Sequence, residues 1–144
     1  MLFRSVIFKG GVTYVLTGAT GILLKWDGAR KNAITYDGNS DGTWGAGRAR
    51  FTDNHGDKSI AAFSATVLRR YLAFESLDIG GMGGAAALPT DLGYALAPRP
   101  GGGIVFSAGA EDVSINSCVF HDIGFWFSQK PMNAASLADR KSVV

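Results

Sequence analysis

The chain has 144 residues, of which 47% are apolar and only 18% charged, and this balance excludes an intrinsically disordered protein. Twenty glycines against four prolines exclude a collagen-like or proline-rich chain and favour many short strands joined by tight turns. The net charge of +2 is small, and no aromatic-basic platform accompanies the basic clusters Arg69-Arg70 and Arg48/Arg50. These features argue against a nucleic-acid partner.

Both ends of the sequence look foreign to the protein. Residues 1–5 resemble the translation of a sequencing-library adapter, and residues 139–144 resemble the complementary adapter read through to a stop. We therefore expect a partial domain over residues 6–138, with non-native ends, and an ordinary apolar start and frayed tail is the alternative. No apolar run approaches the length of a membrane span, and no signal peptide precedes the first strand, although that absence carries no weight if the true start lies elsewhere.

Short β-rich runs recur along the chain and are separated by turn signals such as Asp27-Gly28. No segment carries a sustained helical stripe, and the best helical candidate, residues 61–71, contains the β-branched Thr66 and Val67. The sequence therefore predicts an all-β protein. Its predicted strands span residues 12–16, 22–26, 33–36, 49–52, 60–63, 72–79, 103–107 and 113–120.

Two of these runs repeat one another. When residues 72–80 are laid over residues 113–120, apolar residues fall at matching places, as with Phe74 and Ile115. The offset fits two turns of a β-solenoid, or one turn with residues 89–103 inserted as a loop on one face. In a solenoid, small inward residues stack in a narrow core. Cys118, the lone cysteine, is therefore interpreted as a packing residue and not as a nucleophile.

Several motifs in order resemble one known architecture. Lys9-Gly10-Gly11 before Val12-Thr13-Tyr14 is similar to an opening coil of parallel β-helix proteins, and residues 32–38 with 44–49, 71–74 and 113–124 are similar to later coils. The resemblance implies a right-handed parallel β-helix of the pectate-lyase-like superfamily, a single-stranded solenoid that is incomplete at both ends. That superfamily includes polysaccharide lyases, glycoside hydrolases, epimerases, phage tailspikes and non-enzymatic surface proteins.

The resemblance also implies a catalytic outer face. Outward positions of the strand 72–79 carry Glu75 and Asp78, and the following coil carries His121 and Asp122. A lyase must neutralise a uronate carboxylate and abstract a proton with a base, whereas a hydrolase needs two carboxylates. These four residues are the candidate catalytic groups. The structural alternative is that both aspartates cap turns and that the histidine is an ordinary surface residue.

Substrate contacts are expected from basic and aromatic residues near these strands. Arg69 and Arg70 lie at a strand entry, and Trp126, within Phe125-Trp126-Phe127, is a candidate sugar-stacking platform because pyranose rings lie well on indole. The alternative for this aromatic group is a place in the core of the next coil.

Residues 37–42 match the first half of a calcium loop, with Asp37, Asn39 and Asp41 as alternating oxygen ligands before a glycine. The twelfth position is Arg48, which excludes a helix-loop-helix calcium site because bidentate Glu is needed there. A looser Ca²⁺ turn at Asp37, Asn39 and Asp41 remains one interpretation. Asx-type turns are the other.

A competing motif lies at residues 15–22, which resemble the nucleotide-binding loop of short-chain dehydrogenases. Leu24 stands where the third glycine is needed, and Trp26-Asp27-Gly28 interrupts the helix that should follow. We therefore expect a turn between two strands at this place.

The sequence thus predicts a fragment of an extracellular, cell-surface or virion protein that acts on polysaccharide, as a polysaccharide lyase or glycoside hydrolase. The expected partners are the polysaccharide and the remainder of the protein's own chain, with no nucleic acid and no membrane span. A non-catalytic glycan-binding scaffold, such as a phage tailspike or cell-surface β-helix, is the alternative.

Overall fold

The computed structural model describes residues 4–17, 21–53, 60–82 and 101–123, and no helix occurs in that part of the chain. It contains eleven strands: β1 (Ser5–Ile7), β2 (Thr13–Leu16), β3 (Ile22–Leu23), β4 (Ile34–Asp37), β5 (Ala49–Asp53), β6 (Ile60–Ala65), β7 (Arg69–Glu75), β8 (Leu77–Met82), β9 (Gly101–Phe106), β10 (Ala110–Asn116) and β11 (Val119–Ile123). The prediction of an all-β protein is confirmed. No helix long and apolar enough to cross a membrane occurs in these described ranges.

The strands form three parallel sheets. The first sheet has the order β1-β4-β7-β10, the second has β11-β8-β5-β2, and the third has β3-β6-β9. Every pairing between these strands is parallel. Pass 1 of the chain comprises β1, β2 and β3, pass 2 comprises β4, β5 and β6, pass 3 comprises β7, β8 and β9, and pass 4 comprises β10 and β11. Since each pass stacks on the preceding one in every sheet, the topology is compatible with a parallel β-helix.

The inward side chains of all three sheets meet in one hydrophobic core. Phe63 of the third sheet, which is 0% exposed, lies at its centre. Its ring centroid lies 5.2 Å from that of Phe51 in the second sheet and 5.4 Å from that of Phe74 in the first. Tyr36 stacks on Phe74 from the neighbouring strand, at 5.3 Å between ring centroids. Residues alternate between this core and the outer face along β2, β4 and β5, as the pleat requires.

The proposed repeat is confirmed in its register. Phe74 pairs with Ile115 in the first sheet, and Ile79 pairs with Phe120 in the second, as the sequence alignment places them. The offset is therefore one pass of the chain and not two. Residues 83–100, which hold most of the expected loop insertion, lie outside the described residues.

The predicted strand 72–79 is in fact two strands that belong to different sheets. Ser76 separates β7 from β8 with a φ of 52°, and Ser117 separates β10 from β11 with a φ of 53°. A residue in this left-handed region turns the chain sharply, so the strand leaves the first sheet and enters the second. The sequence prediction missed these corners because serine is a weaker turn signal than glycine.

Two competing interpretations of short segments are also settled. The helical candidate 61–71 forms β6 and the start of β7. Gly21, at the end of the dehydrogenase-like motif, is followed by β3, which pairs with β6, whereas a nucleotide-binding loop of that kind would lead into a helix. The proposed domain extent of residues 6–138 stays a prediction.

Candidate functional site

A histidine and an aspartate meet on the outward face of the second sheet. His121 of β11 lies with Nε2 2.8 Å from Oδ1 of Asp78 in β8. The side chains are 34% and 30% exposed, so solvent and a ligand can reach both. Parallel stacking of passes 3 and 4 brings them together, because Val119 pairs with Asp78 and places His121 two residues further along the same face.

The imidazole of His121 occupies space that only a glycine leaves open. Gly80 pairs with His121 in the register of β8 and β11. A Cβ atom added at Gly80 would lie 2.2 Å from Cε1 and 2.3 Å from Nε2 of the ring. The ring therefore lies directly over the backbone of β8, and Gly80 is the residue that permits its approach to Asp78.

Arg50 lies beside Asp78 in the register of the second sheet. Arg50 of β5 pairs with Asp78 on one side and with Thr13 of β2 on the other, and it is exposed. Adjacent strands lie about 4.8 Å apart, so Arg50 and Asp78 start from neighbouring positions of one face, and His121 lies on the third strand of that face two residues further along. When Asp78 is ionised, Nε2 of His121 must carry the proton in order to donate a hydrogen bond to the carboxylate. The lone pair of the neutral ring is then on Nδ1.

Glu75 belongs to another sheet. It is the last residue of β7, on the far side of the corner at Ser76, and in the first sheet it pairs with Asp37 and Asn116. The structure thus brings Asp78 and His121 together and places Glu75 on the neighbouring face. Asp122 lies in β11 directly after His121, and its side chain lies outside the described part of the structure.

The two candidate substrate-binding arginines both make intramolecular contacts. Arg69, whose side chain is 16% exposed, donates from Nε to the carbonyl oxygen of Leu24 at 2.7 Å and lies 3.5 Å from Asp27. Arg70 donates from Nε to Glu111 at 2.6 Å, and this hydrogen bond holds the pKa of Arg70 above its usual value. Arg69 therefore ties two passes together, whereas Arg70 is half exposed and faces the surface. Trp126 lies outside the described residues.

Two of the proposed calcium ligands cap turns. Asp37 accepts hydrogen bonds from the backbone N–H of Ser40 at 2.7 Å and from its hydroxyl at 2.8 Å. Asp41 accepts from the backbone N–H and hydroxyl of Thr43, and these bonds lower its pKa. Among the residues that the structure describes, no group of three or more His, Cys, Asp or Glu is arranged to hold a metal. Turn formation accounts for both aspartates, and a calcium site here stays a prediction.

The third proposed ligand, Asn39, is only 5% exposed and holds the loop after β4 together. Its Nδ2 donates to the carbonyl oxygens of Gly45 and Gly47, each at 3.1 Å. Its Oδ1 accepts from the backbone N–H of Trp44 at 2.8 Å. Three hydrogen bonds from one buried amide give this loop a fixed shape and leave the Trp44 side chain half exposed at the surface.

Cys118 packs against the core as a partly buried residue, in agreement with its interpretation as a packing residue. Burial raises the pKa of its thiol, and Sγ lies 3.4 Å from the carbonyl oxygen of Asn116. A raised pKa reduces the thiolate fraction at neutral pH, which disfavours nucleophilic chemistry.

The structure brings a segment with an exposed tryptophan beside Arg69-Arg70. Residues 24–28 pass beside these arginines, because Leu24, Asp27 and Gly28 contact them. Trp26 in this segment is 68% exposed. The run Lys25-Trp26-Asp27-Gly28-Ala29-Arg30-Lys31 carried the signal, but its distance along the chain from Arg69 concealed it.

Comparison with known proteins gives no relative to argue from. No protein-family model, no curated protein and no solved structure matches this chain. Its function is therefore inferred from the geometry of its own residues.

Proposed function

We propose that the chain is a stretch of a right-handed parallel β-helix of the pectate-lyase-like kind, from an extracellular or virion-borne protein that cleaves an acidic polysaccharide by β-elimination. The observation that carries this proposal is the contact between His121 and Asp78 on the outward face of the second sheet. The three-sheet parallel topology supports the architecture. A polymer too large to enter a cell intact accounts for the location outside it.

The chemistry assigns a role to each group of this face. His121 is the base that takes the proton from C5 of a uronate, and the electrons of the C–H bond form the double bond between C4 and C5 while the C4–oxygen bond breaks. The departing oxygen is protonated from solvent. Asp78 holds the ring in the required tautomer and stabilises the imidazolium, as a carboxylate does beside a catalytic histidine. Arg50 pairs with the substrate carboxylate, on which negative charge accumulates.

The same geometry makes a glycoside hydrolase the weaker choice. Hydrolysis with two carboxylates requires both groups to flank one glycosidic bond. Glu75 and Asp78, the acidic candidates of pass 3, belong to different sheets on either side of Ser76. An imidazole on the same sheet face as an arginine fits proton abstraction beside a carboxylate better than it fits acetal cleavage.

The test is the absorbance of unsaturated uronate product when the 144-residue chain is offered pectate, alginate and glycosaminoglycans. We expect product from one of these polymers and a loss of about 10²–10⁴-fold in rate for His121→Gln. The Asp78→Asn variant should also be impaired, whereas Glu111→Gln, on the first sheet, should retain activity. Reducing ends without unsaturated product would instead indicate a hydrolase. Binding without cleavage by a folded chain would indicate a glycan-binding scaffold.

A further inference from the structure

A second surface lies at the corner where the chain passes from the third sheet to the first. Residues 24–32 connect β3 to β4 and carry Lys25, Trp26, Arg30 and Lys31, all of them exposed. These four residues are called the basic corner below. The His121–Asp78 contact lies on the second sheet, so the two surfaces occupy different parts of the fold.

The backbone on both sides of Trp26 is fixed to β7. On one side, the carbonyl oxygen of Leu24 accepts the hydrogen bond from Arg69. On the other side, the carboxylate of Asp27 accepts from the backbone N–H of Arg70 at 3.1 Å, and Gly28 donates to the carbonyl oxygen of Arg70 at 3.0 Å. A Cβ atom at Gly28 would lie 2.2 Å from the carbonyl oxygen of Tyr71, which shows how closely the two segments pack. Trp26 is thus presented on a rigid segment.

A tight turn positions Arg30 and Lys31. Ala29 and Asn32 exchange backbone hydrogen bonds of 3.0 and 2.7 Å, and Lys31 has a φ of 67°. This turn places Arg30 and Lys31 at an exposed tip close in sequence to Trp26. A preorganised surface of this kind loses little conformational entropy when it binds a ligand.

The charges of the basic corner are available to a ligand. The carboxylate of Asp27 is already engaged with Arg69 and Arg70. Lys25, Arg30 and Lys31 form no ion pair with any residue in the described ranges. The indole of Trp26 is 68% exposed, and the three cations lie within five residues of it on the same connecting segment, so this corner combines an apolar ring face with positive charge.

We propose that the basic corner is an anchoring site for an anionic polysaccharide. One pyranose ring stacks on the indole of Trp26, and carboxylate or sulfate groups of that ring and its neighbours bind Lys25, Arg30 and Lys31. Nucleic acid fits less well, because the chain carries a net charge of only +2 and the acidic Glu111 and Asp112 of β10 lie on the far side of Arg70. The inference shares with the proposed function only the class of partner and does not require that His121 be catalytic.

The test is biolayer interferometry of the full chain on immobilised polygalacturonate and on heparin, with dextran as the neutral polymer and oligothymidylate as the nucleic acid. We expect binding to a polyanionic glycan, weakened about tenfold or more by Trp26→Ala. The double variant Arg30→Ser/Lys31→Ser should also bind more weakly and show a smaller dependence on salt. Trp44→Ala removes an indole of similar exposure from another corner and should leave binding unchanged.

The outcomes separate this inference from the proposed function. His121→Gln should abolish lyase activity but retain binding, so either idea can fail while the other stands. Unchanged affinity of both basic-corner variants would overturn the anchoring site. Equal binding to dextran, tighter binding to oligothymidylate, or no binding to either anionic glycan would also overturn it.

Discussion

Substitution of Gly80 by alanine should destroy the His121–Asp78 contact while leaving the fold intact. The new methyl group would lie 2.2–2.6 Å from three atoms of the imidazole, so the ring must rotate away from Asp78. Loss of a partly exposed hydrogen bond costs about 1 kcal/mol. Because Gly80 does not have a positive φ, alanine fits its backbone and recovers about 0.4–1 kcal/mol by restricting the unfolded chain.

The two contributions nearly cancel, so the free energy of unfolding should change by less than about 1 kcal/mol. Urea denaturation measures that quantity, and long-range ¹H–¹⁵N NMR of the imidazole nitrogens reports the tautomer of His121, with His55→Gln to assign the two rings. We expect the Nε2 proton of wild-type His121 to be shifted downfield and protected from exchange by its hydrogen bond to Asp78, and Gly80→Ala to lose this signature together with the proposed lyase activity.

The matched control is Gly103→Ala, which would place a methyl group 2.7 Å from the ring of Phe120. It should preserve the His121 signature, because its clash is with the partly exposed ring of Phe120 on the other face of β11. The role assigned to Gly80 would be wrong if Gly80→Ala kept the signature, if Gly103→Ala lost it as well, or if Gly80→Ala unfolded the protein.

Four further predictions concern the core and the buried groups. Phe63→Ala should lower the free energy of unfolding by about 3–5 kcal/mol, whereas exposed Val105→Ala should change it by less than about 0.5 kcal/mol, both measured by urea denaturation. Asn39→Gly tolerates the φ of 77° but loses three hydrogen bonds, so it should lower the free energy of unfolding by about 1–3 kcal/mol. Asn39→Ala should lower it further, because alanine is strained at this φ. Alkylation of Cys118 by iodoacetamide at neutral pH should be slower in the folded than in the urea-unfolded protein, since burial raises its pKa, and equal rates would contradict this. Burial also raises the pKa of Tyr36, so above pH 10 this tyrosine ionises more readily in the unfolded than in the folded protein, and stability falls as pH rises. Tyr36→Phe should make that fall shallower, as measured by thermal melting at alkaline pH.

The sequence was most informative where two passes of the chain could be compared directly. Matching apolar positions in residues 72–80 and 113–120 predicted the register of Phe74 with Ile115 and of Ile79 with Phe120. Such positions are constrained because each inward side chain stacks on its neighbour in the next pass. Alternation therefore predicted the strands and their alignment.

The corners between sheets were not predictable from the same pattern. Ser76 continues a run of strand-forming residues, and only its φ of 52° shows that the chain turns there. For that reason the sequence placed Glu75 and Asp78 on one strand, although the turn assigns them to different sheets. Which outward residues share a face depends on one backbone torsion angle that composition does not reveal.

The sequence predicted the two residues of the candidate site but not the contact between them. Both Asp78 and His121 were identified from their outward positions, but their contact depends on Gly80, whose role appears only when passes 3 and 4 are stacked. The basic corner was missed for a related reason. Asp27-Gly28 was interpreted as a turn alone, whereas the carboxylate of Asp27 also joins Trp26 and its cations to β7.

Glycine has a second role in this protein beyond the tight turns that its abundance first indicated. Phe120 and His121 are successive residues of β11 and point to opposite faces, and each places its ring over a glycine of another strand. Phe120 packs over Gly103 of the third sheet on the core side, and His121 packs over Gly80 of the second sheet on the outer side. Because these two spaces lie on opposite faces of β11, the packing that stabilises pass 4 and the contact that forms the candidate site depend on different glycines. Stability and activity should therefore respond to different substitutions, even though they involve adjacent residues of one strand.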